Sequence, residues 1–229
     1  MITSQVDEIE LVRFSQVTKV YGEGSTAVSA VSNVSGLITT GDQLALVGPS
    51  GSGKTTLLHI LGGLDTPTSG SINWPFLAPS ERLRPAFVGI VFQAPSLLPP
   101  LDVLENVALP LMLAGVRQDD ALERAASALE RLDLSNLSAK LPEELSGGQA
   151  QRVAICRVLA LKPRIILADE PTGQLDQANA ARVIDLLVQV ATETKAALIV
   201  NTHDIAVAKK FSVIWRMKDG TLDSSGRTL

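Results

Sequence analysis

Cysteine is almost missing from this chain: Cys156 stands alone, which rules out an internal disulfide, and no Cys/His cluster has metal-ligand spacing. A disulfide scaffold and a structural zinc module are thereby excluded, and a reducing, cytosolic compartment fits. An excess of positive charge is missing too. The formal net charge is -4, so the chain lacks a basic footprint for duplex nucleic acid, and no nucleic-acid partner is expected. The most apolar stretch, Val107 to Val116, is interrupted by Pro110 and is far shorter than the roughly 20 residues of a membrane-spanning helix. The N-terminus carries Asp7, Glu8 and Glu10 without the apolar core a secretion signal needs. A membrane role would therefore have to come through a partner. Aromatic residues make up only 3%, and neither an internal repeat nor a low-complexity segment occurs.

What is present is a chain of 229 residues, 45% of them hydrophobic, enough for one large domain or one core with an inserted subdomain. Its most informative stretch is Gly48-Pro49-Ser50-Gly51-Ser52-Gly53-Lys54-Thr55, with Thr56 after it, set between the apolar runs 43–47 and 57–61. That is the G-x-x-x-x-G-K-[ST] phosphate loop in the context it requires, strand before and helix after. The glycines let successive N–H groups point into one concavity, and the following helix adds its positive N-terminal end. Lys54 would reach the β- and γ-phosphates of a bound nucleotide, and the Thr55 hydroxyl would hold a Mg²⁺ ion. A Gly/Ser-rich linker would match this pattern by accident on the order of once in a hundred chains of this length. The loop predicts nucleotide binding without saying what the nucleotide is spent on.

The rest of the pattern is α/β. An opening strand is expected over Ile9 to Phe14, with an extension through Val17 to Tyr21, and a second strand over Ser35 to Thr39. Turn chemistry at Thr66 to Ser71 precedes a short extended piece, Ile72 to Trp74, and then a loop punctuated by Pro75, Pro79 and Pro85. Phe87 to Phe92 reads as a buried strand with Gln93 at its end, where a glutamine could hold a metal-bound water or simply cap the strand. From Pro95 to Ala160 the character turns helical: Asp102-x-x-Glu105 starts one helix, and Leu122, Ala125, Leu129 and Leu132 form the stripe of another. Leu145-Ser146-Gly147-Gly148-Gln149 is a donor-rich turn ahead of a helix to about Leu161. Beyond it strands at 165–168, 197–201 and 213–217 alternate with helices at 177–192 and 205–210, and Asp219-Gly220 marks a hairpin. Such alternation implies a parallel sheet covered on both faces. His59, among Leu57, Leu58, Ile60 and Leu61, reads as a packed or half-exposed residue rather than a ligand.

The strand Ile165-Ile166-Leu167-Ala168 ends in Asp169-Glu170, which places two carboxylates at the edge where open α/β sheets bind ligands. Adjacent strand residues face opposite ways, so the acids are expected to diverge: Asp169 toward Mg²⁺, Glu170 toward an attacking water. With these residues assembled, the chain resembles the ATP-binding cassette (ABC) ATPases over essentially its whole length. Gly48 to Thr55 is similar to the Walker A loop, Gln93 to the Q-loop, and Leu145 to Gln149 to the signature sequence. Asp169-Glu170 resembles Walker B with its catalytic glutamate, Gly173-Gln174-Leu175-Asp176 the D-loop, His203 the switch histidine, and Tyr21 the aromatic that stacks on adenine.

The resemblance implies a P-loop NTPase (RecA-like) core at residues 1–94 and 161–229, a small antiparallel β arm, and an inserted helical subdomain at residues 95–160 that carries the signature. It implies Mg²⁺ held by Thr55, Gln93 and Asp169, a γ-phosphate contact from His203, nucleotide binding that includes Asp176, and Ser146, Gly147, Gly148 and Gln149 acting across a head-to-tail homodimer or heterodimer on ATP bound by the other subunit. It also implies a transmembrane permease as partner and a place at the cytoplasmic inner face of the cell membrane. Residues 104–111 and 167–173 look like the lipoprotein-releasing, macrolide-efflux and cell-division group, whose members often transmit force. A soluble ABC ATPase acting elsewhere, or an ATP-gated scaffold without turnover, is the alternative. The stretch from Gly70 to Phe87 is short for the family, with Trp74-Pro75-Phe76 where an Asp-Gly turn is common, so a reduced arm is expected. Ala150 and Cys156 also depart from the common residues.

Overall fold

The computed structural model describes residues 9–77, 83, 87–173 and 175–223. The loop prolines Pro79 and Pro85, the acidic Asp7 and Glu8, and Gln174 of the D-loop lie outside the described residues. The chain builds two sheets. Strands β1 (Glu10–Tyr21), β2 (Val28–Thr39) and β4 (Ser69–Asn73) form an antiparallel sheet in the order β2-β1-β4. Strands β3 (Gln43–Val47), β5 (Val88–Val91), β6 (Ile165–Asp169), β7 (Ala197–Asn201), β8 (Val213–Lys218) and β9 (Thr221–Asp223) form the other, ordered β5-β6-β7-β3-β8-β9. It is parallel throughout except where β9 turns back on β8 through Asp219 and Gly220, both at positive φ (49° and 78°) as a tight hairpin requires.

Strand alternation assigns the two faces of this sheet. Ile165 and Leu167 of β6, with Ala197 and Ile199 of β7, pack under helix α1 (Lys54–Leu61) and the antiparallel sheet. Ile166 and Ala168, with Leu198 and Val200, face helix α5 (Gln177–Thr194) and the short helix α6 (Ile205–Ala208). A third cluster joins α2 (Val103–Leu113), α3 (Gln118–Arg131) and α4 (Gly147–Leu159) through Val107, Leu111, Ala125, Leu129, Val153 and Cys156. Helix α4 belongs to two clusters at once, since Ile155, Val158 and Leu159 pack toward α5 while Val153 and Cys156 face α2 and α3. Among the described residues no helix is long and apolar enough to cross a membrane.

Several expectations need correction. The first strand reaches Tyr21 as its extension anticipated, but the second starts at Val28 rather than Ser35, and positive φ at Gln16 (51°) and Asn33 (52°) lets the pair absorb irregularities in register and continue. The third strand starts at Ser69, inside the stretch expected to be turn, so the described arm has three strands. Trp74 extends its support by donating its indole N–H to the Leu61 carbonyl at 3.1 Å. Helix α2 starts as expected from a full capping box between Asp102 and Glu105 and reaches Leu113 with Pro110 inside it. Helix α4 stops at Leu159 rather than Leu161, and α6 stops at Ala208 rather than Lys210. The stripe on α3 is centred on Ala121, Ala125 and Leu129, with Leu122 and Leu132 only partly buried.

Candidate nucleotide site

The phosphate loop leaves β3 in the middle of the sheet and enters α1 with Gly53 as N-cap in the left-handed region (φ 96°). A side chain at Gly53 is doubly barred: its Cβ would stand 2.0 Å from the Ala30 carbonyl oxygen and 3.0 Å from the Met217 Cε. The hairpin after β8 braces the loop from behind, with the Gly220 N–H donating to the Ser52 carbonyl at 3.2 Å. Lys54 is buried, and its ammonium donates to the Gly48 and Pro49 carbonyls at 2.9 Å each, so it lies folded over the loop that it serves. A cavity of about 340 Å³ opens there, lined by Tyr21, Ala30, Ser50, Gly51, Gly53, Lys54, Thr55, Thr56 and Glu170.

Asp169 and Thr55 meet across the sheet end: the Thr55 hydroxyl donates to Asp169 Oδ1 at 3.0 Å, and the Asn201 amide donates to the same oxygen. Glu170 is turned elsewhere. It has left the strand in a left-handed conformation (φ 45°), fixed by its N–H to the Asn201 carbonyl at 3.0 Å, and its Oε1 lies 3.2 Å from His203 Nδ1. The two acids diverge as expected, but a backbone turn rather than strand alternation separates them. Gln93 sits nearby, since a Cβ at Gly173 would stand 3.0 Å from its Nε2 and 3.6 Å from Glu170 Oε2.

At the mouth of the cavity Tyr21 is held by a pair that sequence reasoning missed. Asp65 accepts the Tyr21 hydroxyl at 2.7 Å and the Lys19 ammonium at 2.6 Å, while that ammonium stands 5.0 Å from the Tyr21 ring centre. The Lys19 hydrogen bond and then the Tyr21 one hold the Asp65 carboxyl below its ordinary range, whereas burial and the bond to Asp65 push the Tyr21 phenol up.

The signature residues do not line this cavity. Ser146 caps α4, accepting from the Gln149 N–H at 3.3 Å while Gln149 returns a bond to the Ser146 N–H at 2.9 Å. Ser146 and Gly147 are exposed there, Gly148 faces Asn179 of α5, and Asp176 caps α5 through the Asn179 N–H at 2.8 Å. The backbone and side-chain bonds from Asn179 hold the Asp176 carboxyl below its ordinary range. Helix α4 also grips the Gln93 segment: Gln151 donates to the Phe92 carbonyl at 3.2 Å, and Arg157 donates to the Pro95 and Ser96 carbonyls at 3.1 and 2.9 Å. His59 is half-buried against Phe92, with ring centres 6.3 Å apart, and does not line the cavity.

These residues suit a magnesium nucleotide. Among the described residues no group of three His, Cys, Asp or Glu could hold a metal alone. One carboxylate and one hydroxyl, both hard oxygen donors beside a phosphate loop, are what Mg²⁺ takes when phosphates complete its shell. Two buried oxygens here, Ser52 Oγ and Asn201 Oδ1, also lack a protein partner.

Fold and loop together define a P-loop nucleotide-binding cassette. The model of the ABC transporter family matches residues 31–173, and the chain belongs to that family. It is 44% identical over 211 residues to the lipoprotein-releasing system ATP-binding protein LolD of Legionella pneumophila (strain Paris), covering 89% of this chain and 93% of that one. The protein of the same description from Hydrogenovibrio crunogenus is 39% identical over 226 residues, covering 96% and 98%. Among solved structures, the dimeric ATP-binding cassette MJ0796 bound to ADP and Pi superposes with a TM-score of 0.82 at 38% identity, covering 96% of this chain and all of that one. The protein is an ABC ATPase that binds ATP with Mg²⁺ and hydrolyses it.

Proposed function

We propose that this chain spends ATP on driving a separate membrane permease, in export or in mechanical work on that partner, from the cytoplasmic face of the membrane. The relatives described as lipoprotein-releasing ATP-binding proteins support the coupling. An apolar groove of about 200 Å³, lined by Leu64, Ile90, Phe92, Pro110 and Leu161, adjoins the Gln93 segment and suits a helix of the permease. Residues 95–160 act as a helical subdomain on the core formed by 1–94 and 161–229.

The observation that carries the catalytic assignment is Glu170, on the cavity wall and paired with His203 at 3.2 Å. Loop N–H groups from Gly48 to Thr56, with Lys54, bind the phosphates, and Tyr21 stacks on adenine. Thr55, Asp169 and Gln93 hold the metal, which when bound neutralises charge on the phosphate oxygens. Glu170 accepts the proton of the attacking water, and His203 orients Glu170 while facing the γ-phosphate. Ser146, Gly147, Gly148, Gln149 and Asp176 lie apart from this cavity, which supports their action on ATP held by a second cassette in a head-to-tail dimer.

Glu170→Gln tests this reading. It should keep ATP affinity, lower phosphate release about 10²–10⁴-fold and accumulate an ATP-bound dimer on sizing. Undiminished hydrolysis would overturn the role of Glu170, and a membrane extract in which no permease co-purifies with the chain would overturn the coupling.

A further inference from the structure

Strand β7 lies between β3, which delivers the phosphate loop, and β6, which delivers Asp169. Its last residue, Asn201, pairs in register with Asp169 on one side and Leu46 on the other. Residues 197 and 199 face α1, and so by strand parity does 201, as does 169 after 165 and 167. Topology alone therefore delivers an amide to the gap between Thr55 and Asp169.

Asn201 is fully buried, and its amide donates to Asp169 Oδ1 and to the Thr55 hydroxyl, the latter at 3.4 Å. The carboxylate fixes which end points inward, because the flipped amide would set oxygen against oxygen. That leaves Asn201 Oδ1 buried with no protein donor. The other fully buried asparagine is the internal comparison: Asn106 Oδ1 accepts the Leu98 N–H at 2.8 Å, and its Nδ2 donates to the carbonyls of Leu98, Leu101 and Asp102. A buried amide that serves only the fold is paired at both ends, as Asn106 is. A buried acceptor left open costs stability, and one beside a metal-ligand pair is kept for a donor that arrives with the ligand.

We infer that Asn201 is a positioning residue of the magnesium site: its amide locks Asp169 and Thr55 together, and its carbonyl accepts a hydrogen bond from a water of the bound ion. Its backbone carbonyl holds the Glu170 N–H as well, so one residue indexes the metal-holding and proton-accepting carboxylates to each other. This rests on the proposed metal role of Thr55 and Asp169, and the test separates the two.

The metal is titrated as Mn²⁺, by electron paramagnetic resonance, into the full chain saturated with ATP, and ATP affinity is measured separately without metal by calorimetry. Asn201→Leu, similar in size but without polar atoms, should weaken Mn²⁺ binding about 10–100-fold and leave metal-free ATP affinity within about twofold. Asp169→Asn should weaken Mn²⁺ at least as much. If Asn201→Leu leaves Mn²⁺ affinity within about twofold while Asp169→Asn lowers it, the inference fails and the metal site stands. If neither variant changes it, the metal site fails and takes the inference with it. Should Asn201→Leu not fold, Asn201→Thr, too short to span both partners, should weaken Mn²⁺ several-fold, and wild-type affinity there overturns the inference.

Discussion

The hold of Asp65 on Tyr21 gives a quantity that can be worked through. The Tyr21 ring is 44% exposed, and Asp65 fastens its far end through one short bond at 2.7 Å. Asp65→Ala removes that tether, while Lys19 stays near through its bond to the Thr66 carbonyl at 2.8 Å. A freed tyrosine has about three χ1 wells. If only one suits stacking, the competent fraction falls to about a third, and apparent affinity falls about threefold. If the ring stacks on adenine as proposed, its loss in Tyr21→Ala should remove a base stack of about 1–3 kcal/mol, or about 5–150-fold. Calorimetry should therefore rank wild type, Asp65→Ala and Tyr21→Ala in that order for ATP, and tripolyphosphate, which has no base, should bind all three within about twofold. An Asp65→Ala defect as large for tripolyphosphate as for ATP would refute the reasoning. The pH dependence follows from sign. Because Lys19 and Tyr21 hold the folded carboxyl below its unfolded value of about 3.9, the tether is present above that pH and is lost only as pH falls through the depressed value. The preference for ATP over tripolyphosphate should thus be flat from neutrality down to about pH 5.

Two further outcomes concern the helical layer. Burial pushes the Cys156 thiol up to about 12, so its thiolate fraction at neutral pH is on the order of 10³ below that of a free thiol near about 8.5. A disulfide reagent should label the native chain slowly and the guanidinium-unfolded chain at once, and rapid stoichiometric labelling of the native protein would contradict the packing of α4. Asn106→Ala should strand the Leu98 N–H and the carbonyls it serves, costing about 3 kcal/mol and lowering the melting temperature by about 6–12 °C. A change under 2 °C by calorimetry, about 0.5–1 kcal/mol, would show that water takes over those bonds.

What could be read from the sequence was what is local in it. The loop from Gly48 to Thr55 carries its own geometry in its glycines, and Asp169-Glu170 announces itself as charge at the end of an apolar strand. Asn201 was visible too, as the one polar residue closing Ala197-Leu198-Ile199-Val200, but its task depends on β7 lying between β3 and β6. No spacing encodes that order. The Asp65 tether joins residues 44 apart, and Asp65 stands in a stretch whose turn chemistry explains it well enough alone. The early start of the second strand at Val28 escaped notice because Asn33 looks like a strand breaker, yet its left-handed backbone lets the strand go on. The course of Glu170 escaped for the related reason that a single positive φ cancels the alternation rule.

Helix α4 is a stiff rod with a free first turn and a fastened flank. Its first turn presents Ser146 and Gly147 to solvent, and further along Gln151 and Arg157 clasp the chain on either side of Gln93. A rod cannot be pushed at one end and stay still at the other. Whatever docks on the exposed turn therefore tugs on the loop beside Glu170, and whatever bends that loop re-aims the turn. On the proposed head-to-tail pairing the arrangement would work as a crank: arrival of a second cassette and readiness for hydrolysis would become one mechanical event.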